Sequence, residues 1–204
     1  MTDDQRAELD TISLSARRVV SRLYVGALAH HLTVSPNGRQ AWVALSETAD
    51  TIVTVDLSHP ARPRVSGRFY PGFAVHDLAF SPDGQRVWAT GATTAQVGVF
   101  DAKTHRLLFR VAAGAGPQHV AFAGDNAYLT SGYGSSIEMV NRTTGTVTHT
   151  TSIPYGSFEL DIGGGLIVTS SLFTGSLAVL TDKLRLLRVI HLAPVTRDVA
   201  LAAP

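Results

Sequence analysis

Nine polar residues of this 204-residue chain recur at a spacing that can bring them to one ligand: His30 and His31, His76 and Asp77, Gln118 and His119, Glu159, then Arg197 and Asp198. Each group precedes or opens a short alternating run, and the groups follow one another at intervals of about 40 residues. Imidazoles and carboxylates gathered in this way can coordinate a divalent metal or hydrogen-bond an anionic ligand. The same residues also suit plain capping of strand ends in a wet channel. His30 and His31 would point to opposite faces if extended, so at most one should face the ligand.

No catalytic residue, metal ligand or cofactor is assigned from the sequence. The cysteine count is zero, so there is no thiolate ligand, thiol nucleophile or disulfide framework. No Gly-x-Ser-x-Gly elbow occurs. The run Gly163-Gly164-Gly165 has neither the lysine nor the following helix of a phosphate loop and reads as a turn.

The elements that must position these residues are strands. His76 to Gly91 is a β-hairpin: Leu78 and Phe80 alternate with Asp77 and Ala79, Pro82-Asp83-Gly84 turns, and Val87-Trp-Ala-Thr90 returns. First strands of the same kind begin at His31, Asp77, His119 and Glu159. Second strands are Ala41–Leu45, Val87–Gly91, Ala127–Ser131 and Leu166–Ser170. Third strands end at Asp56, Asp101, Asn141 and Thr181, at steps of 45, 40 and 40 residues, and Thr11–Ser15 fits the same slot upstream. Outer fourth strands are more polar: Val19–Leu23, Val65–Phe69, Leu107–Val111, Val147–Thr151 and Leu186–Ile190.

A period near 40 with four short strands per unit predicts an all-β fold, a β-propeller of four-stranded antiparallel blades, here as one domain over 1–204. The blades are 1–26 (partial), 27–72, 73–115, 116–156, 157–193 and 194–204 (partial), with Arg197–Leu201 as a last inner strand. The partial ends fit a truncated seven-bladed ring or a closed five-bladed one. Equivalent positions of successive blades converge on one mouth of the axial channel, which is where the nine polar residues fall. Trp42, Trp88 and Tyr128 share one second-strand position and are expected to pack between blades. Asp56, Asp101 and Asn141 are expected to cap the turn into the fourth strand.

Composition limits the function classes. An apolar fraction of 45% with 16% charged residues excludes disorder and a highly charged coiled coil. A net charge of +1 gives no bulk attraction to nucleic acid. No apolar run approaches the roughly 18 residues of a membrane span, and the acidic first residues, Met1 to Asp10, do not read as an export signal.

The turns Ser35-Pro-Asn-Gly38 and Ser81-Pro-Asp-Gly84, the second strand Ala127-Tyr-Leu-Thr-Ser131 and the third-strand endings at Asp56 and Asp101 resemble the YVTN-repeat β-propellers over nearly the whole chain. Members of that family are mostly seven-bladed exported bacterial proteins, similar in fold to lactonase propellers and to the propeller of cytochrome cd-type nitrite reductases. This chain has fewer repeats. Its architecture is also WD-like, but a WD repeat ends its third strand in Trp-Asp, whereas Trp42 and Trp88 lie in second strands.

The resemblance implies a non-enzymatic scaffold that binds a small ligand or a protein at the channel mouth, in the periplasm or outside the cell. Two alternatives stand beside it. One is a lactonase-like or other hydrolase using His with Asp or Glu at the mouth, with or without a divalent metal; the other is a non-functional fragment of a longer propeller. An open ring would expose apolar blade faces and favour self-association.

Overall fold

The structure is a computed structural model that describes residues 1–45, 50–114 and 116–202. Among these residues there is no helix, and hence none long and apolar enough to cross a membrane. The chain forms a three-stranded sheet of β1 (Thr2–Asp3), β2 (Glu8–Ser13) and β3 (Arg18–Tyr24), followed by four sheets of four strands. These comprise β4 (Leu32–Val34), β5 (Gln40–Ala44), β6 (Ile52–Asp56) and β7 (Arg64–Phe69); then β8 (Asp77–Phe80), β9 (Arg86–Gly91), β10 (Gln96–Asp101) and β11 (Leu107–Ala112). The remaining two comprise β12 (Pro117–Ala123), β13 (Asn126–Ser131), β14 (Ser136–Asn141) and β15 (Val147–Ser152); then β16 (Ser157–Gly163), β17 (Leu166–Ser171), β18 (Ser176–Thr181) and β19 (Leu186–His191). Each sheet is a meander in chain order, the blade arrangement that the 40-residue period predicts.

Arg197–Leu201 is the exception. It forms no strand; it is held instead by its backbone, with Ser170 Oγ donating to the Arg197 carbonyl and Leu201 N–H donating to Asp161 Oδ2 at 2.8 Å.

Turn chemistry fixes the hairpins. In the Ser-Pro-Asn/Asp-Gly turns the serine hydroxyl donates to the acceptor two residues on, Ser35 to Asn37 at 2.8 Å and Ser81 to Asp83 at 2.6 Å. Each serine oxygen then accepts the first backbone N–H of the second strand, from Gln40 and Arg86. Gly38 and Gly84 close these turns at φ of +70° and +69°, a conformation that costs glycine nothing. At the same end of their blades Asp56 accepts the backbone N–H two residues on, and Asp101 and Asn141 those two and three residues on, as their position predicts. Those bonds hold the Asp56 and Asp101 carboxyls below the usual carboxylate range.

The strands fall into two compact units, Met1–Ala89 with Gly98–Leu108 and Thr90–Val97 with Phe109–Pro204. In the first, Leu9, Val43, Val53 and Val55 form one apolar cluster, and Trp42, Ile52, Phe73, Leu78, Phe80 and Phe100 form another. The Trp42 indole meets Phe80 of the next sheet edge-on, with ring centroids 6.1 Å apart, as an interblade residue should. In the second unit Tyr128, Ile137, Leu160, Ile167 and Leu180 form the core, and the Tyr128 hydroxyl donates to the Asp182 carbonyl at 2.6 Å.

His105 adds a feature that the repeats do not announce. It lies at φ +60°, in the turn after Asp101, stacked on Phe69 at 5.1 Å and edge-on to Trp42 at 5.2 Å. Burial lowers its pKa, and only the Asp101 charge opposes this. The unfolded chain therefore takes up the proton first as pH falls. Stability from this group is complete above pH of about 6.5, declines below that, and levels off under the folded pKa. His105→Asn keeps a residue that tolerates positive φ and removes the titration. Urea midpoints should show the wild-type advantage over this variant shrinking between pH 7.5 and 5; a constant difference would contradict the assignment.

Candidate functional site

The polar residues predicted to matter gather at the starts of the inner strands, within each unit. In the first unit the rings of His30, His31 and His76 cluster, with centroids 4.3 Å (His30 to His31), 4.7 Å (His31 to His76) and 5.9 Å (His30 to His76) apart. The Asp77 carboxylate is buried beside them, its Oδ1 3.5 Å from His31 Nδ1. The expectation that His30 and His31 point to opposite faces is corrected. They precede β4 rather than belong to it, so strand alternation does not govern them, and their rings lie together.

In the second unit, β12 and β16 both lose regular pairing at their starts, between Pro117 and Val120 and between Ser157 and Leu160. An irregularity of this kind re-aims side chains. It places Gln118 and His119 in one strand, and Phe158 and Glu159 in the other, where alternation alone would have turned one of each pair away. His119 Nε2 lies 3.0 Å from Glu159 Oε1. Gln118 is 1% exposed, and its Oε1 has no hydrogen-bond partner among the described residues.

A repeated clamp sets the register. Thr90 Oγ1 donates to the Gln118 carbonyl at 2.6 Å, Thr130 Oγ1 to the Phe158 carbonyl at 2.5 Å, and Ser170 Oγ to the Arg197 carbonyl. Thus Arg197 occupies the position of Gln118 and Phe158 through its backbone. Its side chain and that of Asp198 are exposed.

The sequence reading missed an aromatic row. Tyr133 meets Phe158 edge-on at 5.5 Å, Phe158 meets Phe173 at 5.7 Å, and Phe173 stacks on Tyr155 at 5.3 Å. Tyr133, Tyr155 and Phe173 are each about half exposed. The available signal was the pair Tyr133 and Phe173, 40 residues apart in equivalent loops between second and third strands. Gly132 joins the row to the polar group, since a Cβ there would meet both Gln118 and the Phe158 ring.

No protein-family model and no curated protein matches the chain. Solved structures do. A functionally unknown protein from Desulfotomaculum acetoxidans DSM 771 superposes with a TM-score of 0.81 at 16% identity, over 97% of this chain and 68% of its own. The fold is a β-propeller. Hydrazine synthase of Kuenenia stuttgartiensis (TM-score 0.72, 20% identity, 80% of this chain and 49% of that one) and the dihydro-heme d1 dehydrogenase NirN (0.72, 15%, 93% and 43%) are similar to it as well. So are the WD40 repeats of RRP9, with a TM-score of 0.68 at 17% identity. The propeller spans about half the length or less of hydrazine synthase and NirN. At these identities the likeness shows the fold, and the function must be argued from the site.

Proposed function

We propose that this chain is a non-enzymatic propeller of the YVTN type that binds a small ligand at the starts of its inner strands. The observation that carries the reading is the combination at β12 and β16. A His119–Glu159 pair at 3.0 Å and a buried Gln118 acceptor adjoin a row of half-exposed aromatic rings. Few, fixed polar groups beside aromatic surface are what orient a ligand with one flat or CH-rich face and hydroxyl or amine donors. The strands that carry them are clamped at the Gln118 and Phe158 carbonyls, so the groups are held before a ligand arrives.

The His119–Glu159 geometry also favours a second reading. A carboxylate that orients an imidazole is the arrangement of a general base, and a hydrolase could use it. The hydroxyl beside the pair, Thr130 Oγ1, accepts the His119 backbone N–H at 3.3 Å and donates to the Phe158 carbonyl, so it serves the clamp, which is why binding is preferred.

The test is a thermal-shift screen of the full chain against polyhydroxylated compounds, small carboxylates, aryl amines, lactones and esters. At least one compound class should raise Tm, with affinity falling tenfold or more in both His119→Ala and Glu159→Gln, and no lactone or ester should be turned over. Hits that stabilise both variants equally, or no hit at all, would refute the binding surface; turnover abolished by the same substitutions would establish the hydrolase.

A further inference from the structure

We propose that His31 and His76 bind a divalent transition-metal ion, with Asp77 setting the orientation of His31. The donors named are residues of the first unit.

The geometry is that of a site one small adjustment away from occupancy. A ring nitrogen of His31 and one of His76 lie within 4.8 Å of each other. Two metal–nitrogen bonds of 2.0–2.1 Å at a tetrahedral angle require a separation of roughly 3.3 Å. Rotation of the two rings within their broad torsional wells closes that gap. Both histidines are partly buried, and they come from the starts of successive inner strands. The backbone there is tied, since Phe80 N–H of β8 donates to Thr33 Oγ1 of β4 at 3.2 Å. Donors that lead directly into fixed strands lose little freedom when an ion binds.

Asp77 supplies the feature that separates a metal site from a chance pair of histidines. Its carboxylate faces His31 Nδ1 and favours a proton there, which leaves Nε2 as the lone-pair donor. Imidazole nitrogens select zinc, copper or nickel over calcium or magnesium, and water would fill the remaining positions.

The probe is Zn(II), titrated calorimetrically into the full chain after chelator treatment and dialysis, with Cu(II) electron paramagnetic resonance as a second readout. The wild type should take up one equivalent of zinc. His31→Ala and His76→Ala should each bind it at least tenfold more weakly, and Asp77→Asn several-fold more weakly with unchanged stoichiometry. His149→Ala, on the exposed face of β15, should match the wild type. The Cu(II) spectrum of the unmutated protein should show coupling to two imidazole nitrogens, a result that needs no variant to fold. Absence of binding, wild-type affinity in either His31→Ala or His76→Ala, or a copper spectrum without imidazole coupling would each overturn the proposal.

Discussion

Trp42→Ala is expected to lower the unfolding free energy by about 3–5 kcal/mol, the range for removing a buried aromatic side chain. Trp42 is fully buried and touches three aromatic neighbours, Phe69 at 5.2 Å, Phe80 at 6.1 Å and His105 at 5.2 Å. Those partners come from the outer strand of its own sheet, the inner strand of the next and a turn beyond it, so no single side chain can move into the void. One term works the other way: the indole Nε1 is buried without a hydrogen bond, and deleting it removes a desolvation cost. Trp42→Phe, which removes the same N–H but less volume, should therefore cost distinctly less. Val189→Ala, on exposed β19, should stay within about 0.5 kcal/mol of the wild type. Urea unfolding followed by far-UV circular dichroism reads all three. A loss below about 1 kcal/mol for Trp42→Ala would mean that the blades are not held together at this position.

The strands were legible in the sequence because each carries two independent signals. Alternation marks Asp77–Phe80 and its equivalents, and serine, asparagine, aspartate and glycine mark the turns between them; both point to the same register. The third strands read well for a further reason. Two of them, β6 and β10, are buried on both faces, as Val53 and Val55 beside Ile52 and Thr54 show, so their runs stay largely apolar and end sharply at a capping residue. Arg197–Leu201 has the pattern of an inner strand and is not one: it meets the last sheet through the side chains of Ser170 and Asp161 rather than through a backbone ladder, which alternation does not reveal.

The candidate site was legible in part, and what was missed follows from the same physics. Polar residues at the starts of the inner strands could be counted from the repeat. Their directions could not, because Gln118–His119 and Phe158–Glu159 sit in register shifts and His30–His31 precede a strand. Phe158 lies just before the inner strand expected from Glu159 and has no polar group to mark it, although it holds the position that Gln118 holds one blade earlier and links the aromatic row. Periodicity locates positions; backbone irregularity decides which of them face a ligand.

Gly132→Ala tests that junction directly. An added Cβ would overlap the Gln118 side chain and lie 2.5 Å and 2.6 Å from two atoms of the Phe158 ring. Gln118 cannot yield, being 1% exposed in a strand whose carbonyl is clamped by Thr90. The ring can move only by giving up its contacts with Tyr133 and Phe173. Overpacking of this kind costs about 1–3 kcal/mol, and the displaced ring should also weaken any compound that binds over the aromatic row. The two effects separate on comparison with Tyr133→Ala, which removes a half-exposed ring and should weaken binding with little loss of stability. If Gly132→Ala melts as the wild type does and binds as the wild type does, the close approach of Gln118 and Phe158 is not part of the folded protein, and the surface built on it falls with it.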